Sequence, residues 1–274
     1  MTGNDRRLSR IAVLPTLMTL GNGVCGLWSI RLATSRPADD LATDPLFFAG
    51  VLIFLGMVFD LLDGQLARLT KQVSKFGAEL DSLCDMITFG VAPVFIMLAY
   101  SGTETSHQRL IWGIGAWFTA CAALRLARYN VADADQKATG VFQGLPSPAA
   151  AGTVASLAIA IPALEEFTDA SMSLATQQIG GELLKFTKIG MPVLMLALAF
   201  LMVSRLPYPH FFNQFLPGRR SFYQIVEIVF ALVAIITMGE LALPLILCAY
   251  IFTPFANLAI INDLARRTTL SRFT

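Results

Sequence analysis

The chain has 274 residues, of which 55% are hydrophobic and only 14% charged, a balance too apolar for a water-soluble domain of this size. A net charge of +1, with no basic stripe interleaved with aromatics, excludes a nucleic-acid partner. Cys25, Cys84, Cys121 and Cys248 are scattered with no C-x-x-C pair, so neither a zinc site nor a disulfide framework is expected, and they read as core residues.

Apolar runs able to cross a hydrocarbon core of about 30 Å lie at 11–33, 46–69, 78–100, 108–128, 147–164, 187–204, 222–238 and 241–261. The expected fold is all-α, a polytopic membrane bundle of about eight transmembrane helices in one integral membrane domain, 1–274. The first run has no small-residue cleavage site and is expected to stay. Short cytoplasmic loops carry an excess of Lys and Arg. With both termini inside, the inner set is Arg6, Arg7, Arg10, Arg68, Lys71, Lys75, Arg125, Arg128, Lys137, Arg205, Arg219, Arg220, Arg266, Arg267 and Arg272, fifteen in all. The outer set is Arg31, Arg36, Arg109, Lys185 and Lys188, only five. That asymmetry places both termini in the cytoplasm.

The second span opens at Asp44-Pro45, a cap followed by a proline, and stays apolar from Leu46 to Phe59. Asp60 and Asp63 then fall near its cytoplasmic end. Residues 69–76 form a short turn, and Gly77 begins a third span carrying Asp81 and Asp85 in its opening turns. At about 100° per residue, Asp60, Asp63, Gly64, Ala67 and Arg68 share an arc of about 140°. Gly77, Asp81 and Asp85 recur at i, i+4, i+8 and line one side of their helix. The hairpin brings two acidic faces to one depth. Gly90 and Ala92 in the third span, and Pro146-Ser-Pro-Ala149-Ala150-Ala151-Gly152 opening the fifth, are small residues expected to let helices approach closely. The polar segment Glu165–Gly181 is expected outside the membrane, without assigned chemistry.

Four aspartates converging beside one arginine repel one another in a low-dielectric setting unless cations join them. Ligation by oxygen alone, without His or Cys, favours hard ions, Mg²⁺ or Mn²⁺, with substrate phosphates completing the shell. Gly64 and Gly77 leave room for a nucleotide or phosphate, and Arg68 can fork onto phosphate oxygens. A metal-bound diphosphate at a membrane surface implies a lipid-linked donor, whose displacement by an alcohol needs charge neutralisation, alignment and a base. A single Asp at a membrane helix end is ordinarily a solvated cap. Four at these spacings make a site. Glu79 points away from Asp81, and Glu227, His107 and His210 read as solvated or packing groups. Arg125 and Arg128 are either positive-inside anchors or contacts for an anionic substrate group.

The residues Asp60-Leu-Leu-Asp63-Gly64-Gln-Leu-Ala67-Arg68, then eight more, then Gly77-Ala-Glu-Leu-Asp81-Ser-Leu-Cys-Asp85, match D-x-x-D-G-x-x-A-R-x(8)-G-x-x-x-D-x-x-x-D without a departure. The chain thereby resembles the CDP-alcohol phosphotransferase family. The resemblance implies a catalytic core of about six helices that uses two divalent cations to move a phosphatidyl group from CDP-diacylglycerol to an alcohol, releasing CMP. It implies that Asp60, Asp63 and Asp81 are metal ligands, that Asp85 is a further ligand and the general base, and that Asn22, Gly64, Ala67, Arg68 and Gly77 line the CDP site.

Further segments resemble the bacterial branch of that family that uses L-serine: Thr19-Leu20-Gly21-Asn22-Gly-Val-Cys25-Gly26, Ser74-Lys75-Phe76, Phe89-Gly90-Val91-Ala92-Pro93, Arg125-Leu-Ala-Arg128-Tyr-Asn130 and Gly144-Leu-Pro-Ser-Pro-Ala-Ala-Ala-Gly152. Cys84 and Met86-Ile87-Thr88 depart from that branch, which has Ala and a Val-Ser pair there. The resemblance divides the chain into a catalytic core at 1–205, with the motif at 60–85, and a C-terminal helix pair at 206–274. It implies a bacterial inner membrane, a cytoplasmic site and a homodimer. Arg125, Arg128 and Asn130 are the candidates for gripping the serine carboxylate. Two rivals stand beside this reading. One is a member of the family using glycerol 3-phosphate or inositol phosphate, which calls for more cationic contacts; the other is a cation transporter, which calls for carboxylates near the midplane.

Overall fold

The computed structural model describes the backbone of residues 3–35, 44–70, 75–102, 108–131, 142–208, 237 and 239–254, and the side chains of these except 3–13, 67–70, 75, 142–143 and 207–208. Helix α1 (Gly3–Ala33) is followed by α2 (Pro45–Thr70), α3 (Lys75–Asp85), a π-helical segment (Met86–Val91), α4 (Ala92–Ser101) and α5 (Gln108–Val131). After them come α6 (Ser147–Glu166), α7 (Leu174–Val203) and a short apolar helix, α8 (Gly239–Pro254). Among the described residues, five helical runs are long and apolar enough to cross a membrane: Pro45–Leu66, Phe76–Ser101, Gln108–Val131, Ser147–Glu166 and Leu174–Val203. They correspond to the second through sixth expected spans, and α1 has the length to cross as well. The expected span at 222–238 lies outside the described residues apart from residue 237, and the last is described only as far as Pro254.

The helix start expected at Asp44-Pro45 is present: Asp44 Oδ1 accepts from the Leu46 N–H at 2.8 Å, and Pro45 spends no donor where none is needed. Helix α7, in contrast, begins at Leu174, well before the apolar run at 187. Its start is set by Ser173, whose hydroxyl accepts from the Thr176 N–H at 3.2 Å. Much of the polar segment expected outside the membrane is therefore helical. An α-helix satisfies its own backbone whatever its surface, so its end follows the cap and not the hydropathy.

Helix α6 forms the centre of the bundle. In its apolar stretch 72% of residues are buried, against 22% for α2, which presents Phe48, Val51, Leu55 and Val58 outward. Small residues allow this, as expected. A Cβ on Gly50 of α2 would sit 2.7 Å from the Ala155 carbonyl oxygen of α6, and one on Gly152 of α6 would sit 2.9 Å from Met57 Cε of α2. Pro192 inside α7 offers no N–H to the Lys188 carbonyl, and the Ser101 hydroxyl at the end of α4 donates there at 2.8 Å instead.

One element is not helical. Phe142–Gln143 pairs antiparallel with Pro207–Tyr208, joining the entry of α6 to the exit of α7. Gly144 follows at φ +87°, a left-handed conformation costly for a side chain, and donates its N–H to Leu206 O at 2.9 Å. The Leu145 N–H reaches Leu201 O at 3.0 Å.

Helix α1 packs closely on the π-helical segment that follows Asp85. A Cβ on Gly26 would lie 2.5 Å from Thr88 Oγ1 and 2.8 Å from Thr88 Cα, so Gly26→Ala must push α1 off the π-helical segment. The expected cost is about 1–3 kcal/mol, read as a fall in the melting temperature of the detergent-solubilised protein. Gly113→Ala, whose Cβ would meet nothing within 4 Å, should leave that temperature unchanged or raise it slightly.

Candidate active site

Asp60 and Asp63, three apart on α2, and Asp81, on α3, each place a carboxylate oxygen so that the three lie within 4.8 Å of one another. Oxygens around a Mg²⁺-sized ion sit about 2.1 Å from it, hence no more than about 4.2 Å apart, so a closure of a few tenths of an ångström completes such a shell. Asp63 is only 5% exposed, and its Oδ2 and the Oδ1 of Asp81 are buried acceptors without a hydrogen-bond partner. A buried carboxylate oxygen left without a donor is costly, and a cation is the group that satisfies several at once. The donor set and the orphaned oxygens thus fit a divalent metal ion.

Asp85 stands outside that group of three, one turn further along α3, though close enough to interact electrostatically with Asp60, Asp81 and Asp63. Its Oδ1 accepts from Asn22 Nδ2 of α1 at 2.8 Å. Asn22 is fully buried and is itself fixed, because the Thr88 hydroxyl donates to its backbone carbonyl at 2.8 Å. Gly56 of α2 makes the room: a Cβ there would lie 2.9 Å from Asn22 Oδ1 and 2.7 Å from Thr88 Cγ2. The residue expected along the CDP site therefore also orients Asp85. Neither Thr88 nor Gly56 stood out in the sequence, where Thr88 registered only as a departure from the serine branch.

Gly64 is exposed, and a Cβ built on it would meet nothing within 4 Å, so open space adjoins the carboxylates on that side. Gly77 lies in the first turn of α3. Ala67 and Arg68 are on α2, with side chains outside the described residues.

The three candidate serine contacts are placed differently from one another. Arg125 of α5 is turned inward: Nη1 donates to Ser147 Oγ at 2.7 Å, and Nε is buried without a hydrogen-bond partner. Arg128 is exposed and donates to the Val203 carbonyl, at the C-terminal end of α7, at 3.3 Å. Asn130, also exposed, donates to Ser82 Oγ at 2.9 Å. Arg125 alone of the three carries a buried, unpartnered nitrogen.

An acidic cluster built by a helical hairpin in an apolar bundle is compatible with several chemistries; the comparison with known proteins decides between them. Residues 12–252 match the model of the CDP-alcohol phosphatidyltransferase family. The chain belongs to that family. It is 32% identical over 198 residues to the CDP-diacylglycerol–serine O-phosphatidyltransferase of Bacillus subtilis (strain 168), an alignment covering 72% of this chain and 90% of that protein. The protein of that name from Saccharomyces cerevisiae (strain ATCC 204508 / S288c) is 38% identical over 152 residues, covering 53% of this chain and 52% of the yeast protein. The archaetidylserine synthase of Methanothermobacter thermautotrophicus is 34% identical over 155 residues, covering 56% and 60%.

Membership in this family gives the cluster a context in which a metal belongs. Removing one charge from it, by Asp63→Asn or Asp81→Asn, should weaken Mn²⁺ binding by more than about tenfold, measured by electron paramagnetic resonance on protein without nucleotide. Glu79→Gln, on the same helix but outside the cluster, should bind Mn²⁺ as the unaltered protein does.

Proposed function

We propose that this protein transfers the phosphatidyl group of CDP-diacylglycerol to the hydroxyl of L-serine, giving phosphatidylserine and CMP. The observation that carries the reading is the pairing of a three-carboxylate cluster with a separate, oriented fourth carboxylate, in a chain whose relatives are named for serine. Asp60, Asp63 and Asp81 hold divalent cations, two Mg²⁺ or Mn²⁺ ions, with Asp85 as a further ligand. When bound, those ions neutralise the charge of the diphosphate. Gly64, Ala67, Arg68, Gly77 and the Asn22 region of α1 line the CDP moiety, Arg68 forking onto phosphate oxygens.

Asp85, held by the Asn22 amide, takes the proton of the serine hydroxyl. The serine oxygen then forms its bond to the β-phosphorus in line as the bond from that phosphorus to the CMP oxygen breaks, and CMP carries away the electron pair. Displacement is direct. The cysteine beside the base, Cys84, is buried against Gly23, and the Ser82 hydroxyl donates to the Ala78 carbonyl at 3.1 Å, so neither is poised as a covalent relay.

Arg125 meets the serine carboxylate, with Arg128 and Asn130 at the same end of α5. A phosphorylated acceptor, glycerol 3-phosphate or inositol phosphate, brings a dianion. The single buried, unpartnered cationic nitrogen among the described residues favours the smaller charge of a carboxylate. In this reading residues 1–205 form the catalytic core and 206–274 an accessory helix pair. The protein sits in a bacterial inner membrane as about eight helices, with its termini and its site facing the cytoplasm, and it pairs as a homodimer.

The test is CMP release by the protein in detergent, with CDP-diacylglycerol and Mg²⁺ or Mn²⁺, comparing serine, glycerol 3-phosphate, inositol phosphate and no acceptor. Release should require serine and should fall by about 10²–10⁴-fold in Asp85→Asn. Release driven by another alcohol would discard serine, and a competent phosphatidyl-enzyme would discard direct displacement.

A further inference from the structure

Ser147 is 1% exposed, and its hydroxyl accepts the Arg125 Nη1 proton at 2.7 Å. A buried guanidinium is usually met by a carboxylate, which cancels its charge. Here the observed partner is a neutral hydroxyl, which fixes the direction of the group and leaves its charge in place. The Nε edge remains buried and without a partner. Such a cation is held ready for an anion that arrives later.

The hydroxyl is anchored firmly enough to do this. Ser147 opens α6 directly after Pro146, whose φ is −58° and ψ 136°, and is followed by Pro148, so two rings stiffen the backbone on either side. The fully buried Leu145 and the left-handed Gly144 bind the preceding residues to Leu201 O and Leu206 O. The end of α7 thus clamps the chain that presents Ser147, while α5 presents Arg125. Two helices meet at this one hydrogen bond.

In serine, two carbons separate the hydroxyl oxygen from the carboxylate carbon. An acceptor whose carboxylate is held at Arg125 carries its hydroxyl two carbons away, so the direction of the guanidinium governs where that hydroxyl lies. Resting on the reading above, we infer that Ser147 is the positioning residue that sets selectivity for an acceptor carrying a carboxylate beside its hydroxyl, by fixing the direction of the Arg125 guanidinium.

The experiment compares unaltered protein with Ser147→Ala and Ser147→Cys, the latter nearly matching the native volume with a poor acceptor. CMP release is measured against serine, against ethanolamine, which has the same amine and hydroxyl without the carboxylate, and against CDP-diacylglycerol. Both variants should raise the KM for serine by about tenfold, the change that 1.4 kcal/mol of lost orientation produces. They should leave kcat within about threefold and the KM for CDP-diacylglycerol unchanged, and should lower the ratio of kcat/KM for serine over ethanolamine. A folded variant, judged by its melting temperature, with an unchanged serine KM overturns the inference. So does one in which both KM values and kcat move together, since a purely structural role does that. If the unaltered protein releases CMP without dependence on serine, the functional reading itself fails, and the inference falls with it for a distinguishable reason.

Discussion

Carboxylates crowded at one end of an apolar bundle repel one another and resist leaving water, and much of the described packing holds them together regardless. Two of the three clustered oxygens belong to one helix and one to the next, so the site depends on the register between α2 and α3. That register is imposed from α1. Gly23 and Gly26 let it press against Cys84 and Thr88, and Asn22 reaches Asp85 from the same helix. The bundle supplies position; the unsatisfied oxygens supply the demand for a cation.

Around the cluster, polar atoms divide by chemistry. Asn22 Oδ1, Asp63 Oδ2 and Asp81 Oδ1 are buried acceptors, while Arg125 Nε is a buried donor. Groups of this kind are retained when something else completes them, because each is costly alone. Acceptors call for cations and the donor for an anion. In the proposed reaction, divalent cations with the donor substrate would meet the first requirement, and an acceptor carrying a negative charge the second.

The acidic faces were legible in the sequence because helical periodicity converts spacings of three and four residues into shared faces, and Asp60, Asp63 and Asp81 obey it. The Asp44 cap was legible for the same local reason. What periodicity cannot supply is contact between distant positions. The bonds from Asn22 to Asp85, Thr88 to Asn22 and Arg125 to Ser147 span 63, 66 and 22 residues, and nothing in their spacing announces them. Hydropathy placed the start of α7 too late, since Ser173 caps a helix whose first turns are polar. The π-helical segment at Met86–Val91 has no marker in its composition, which reads as ordinary apolar helix.

The third membrane run is continuous from Phe76 to Ser101, so Asp81 and Asp85 at one end and Ser101 at the other travel on one rod. Ser101 grips the Lys188 carbonyl that Pro192 leaves open, a fixed notch on α7. Shifting the rod along its axis would break that grip at one end and misplace the acids at the other together. The placing of the acids is thus tied, through one continuous run, to a gap in another helix's backbone.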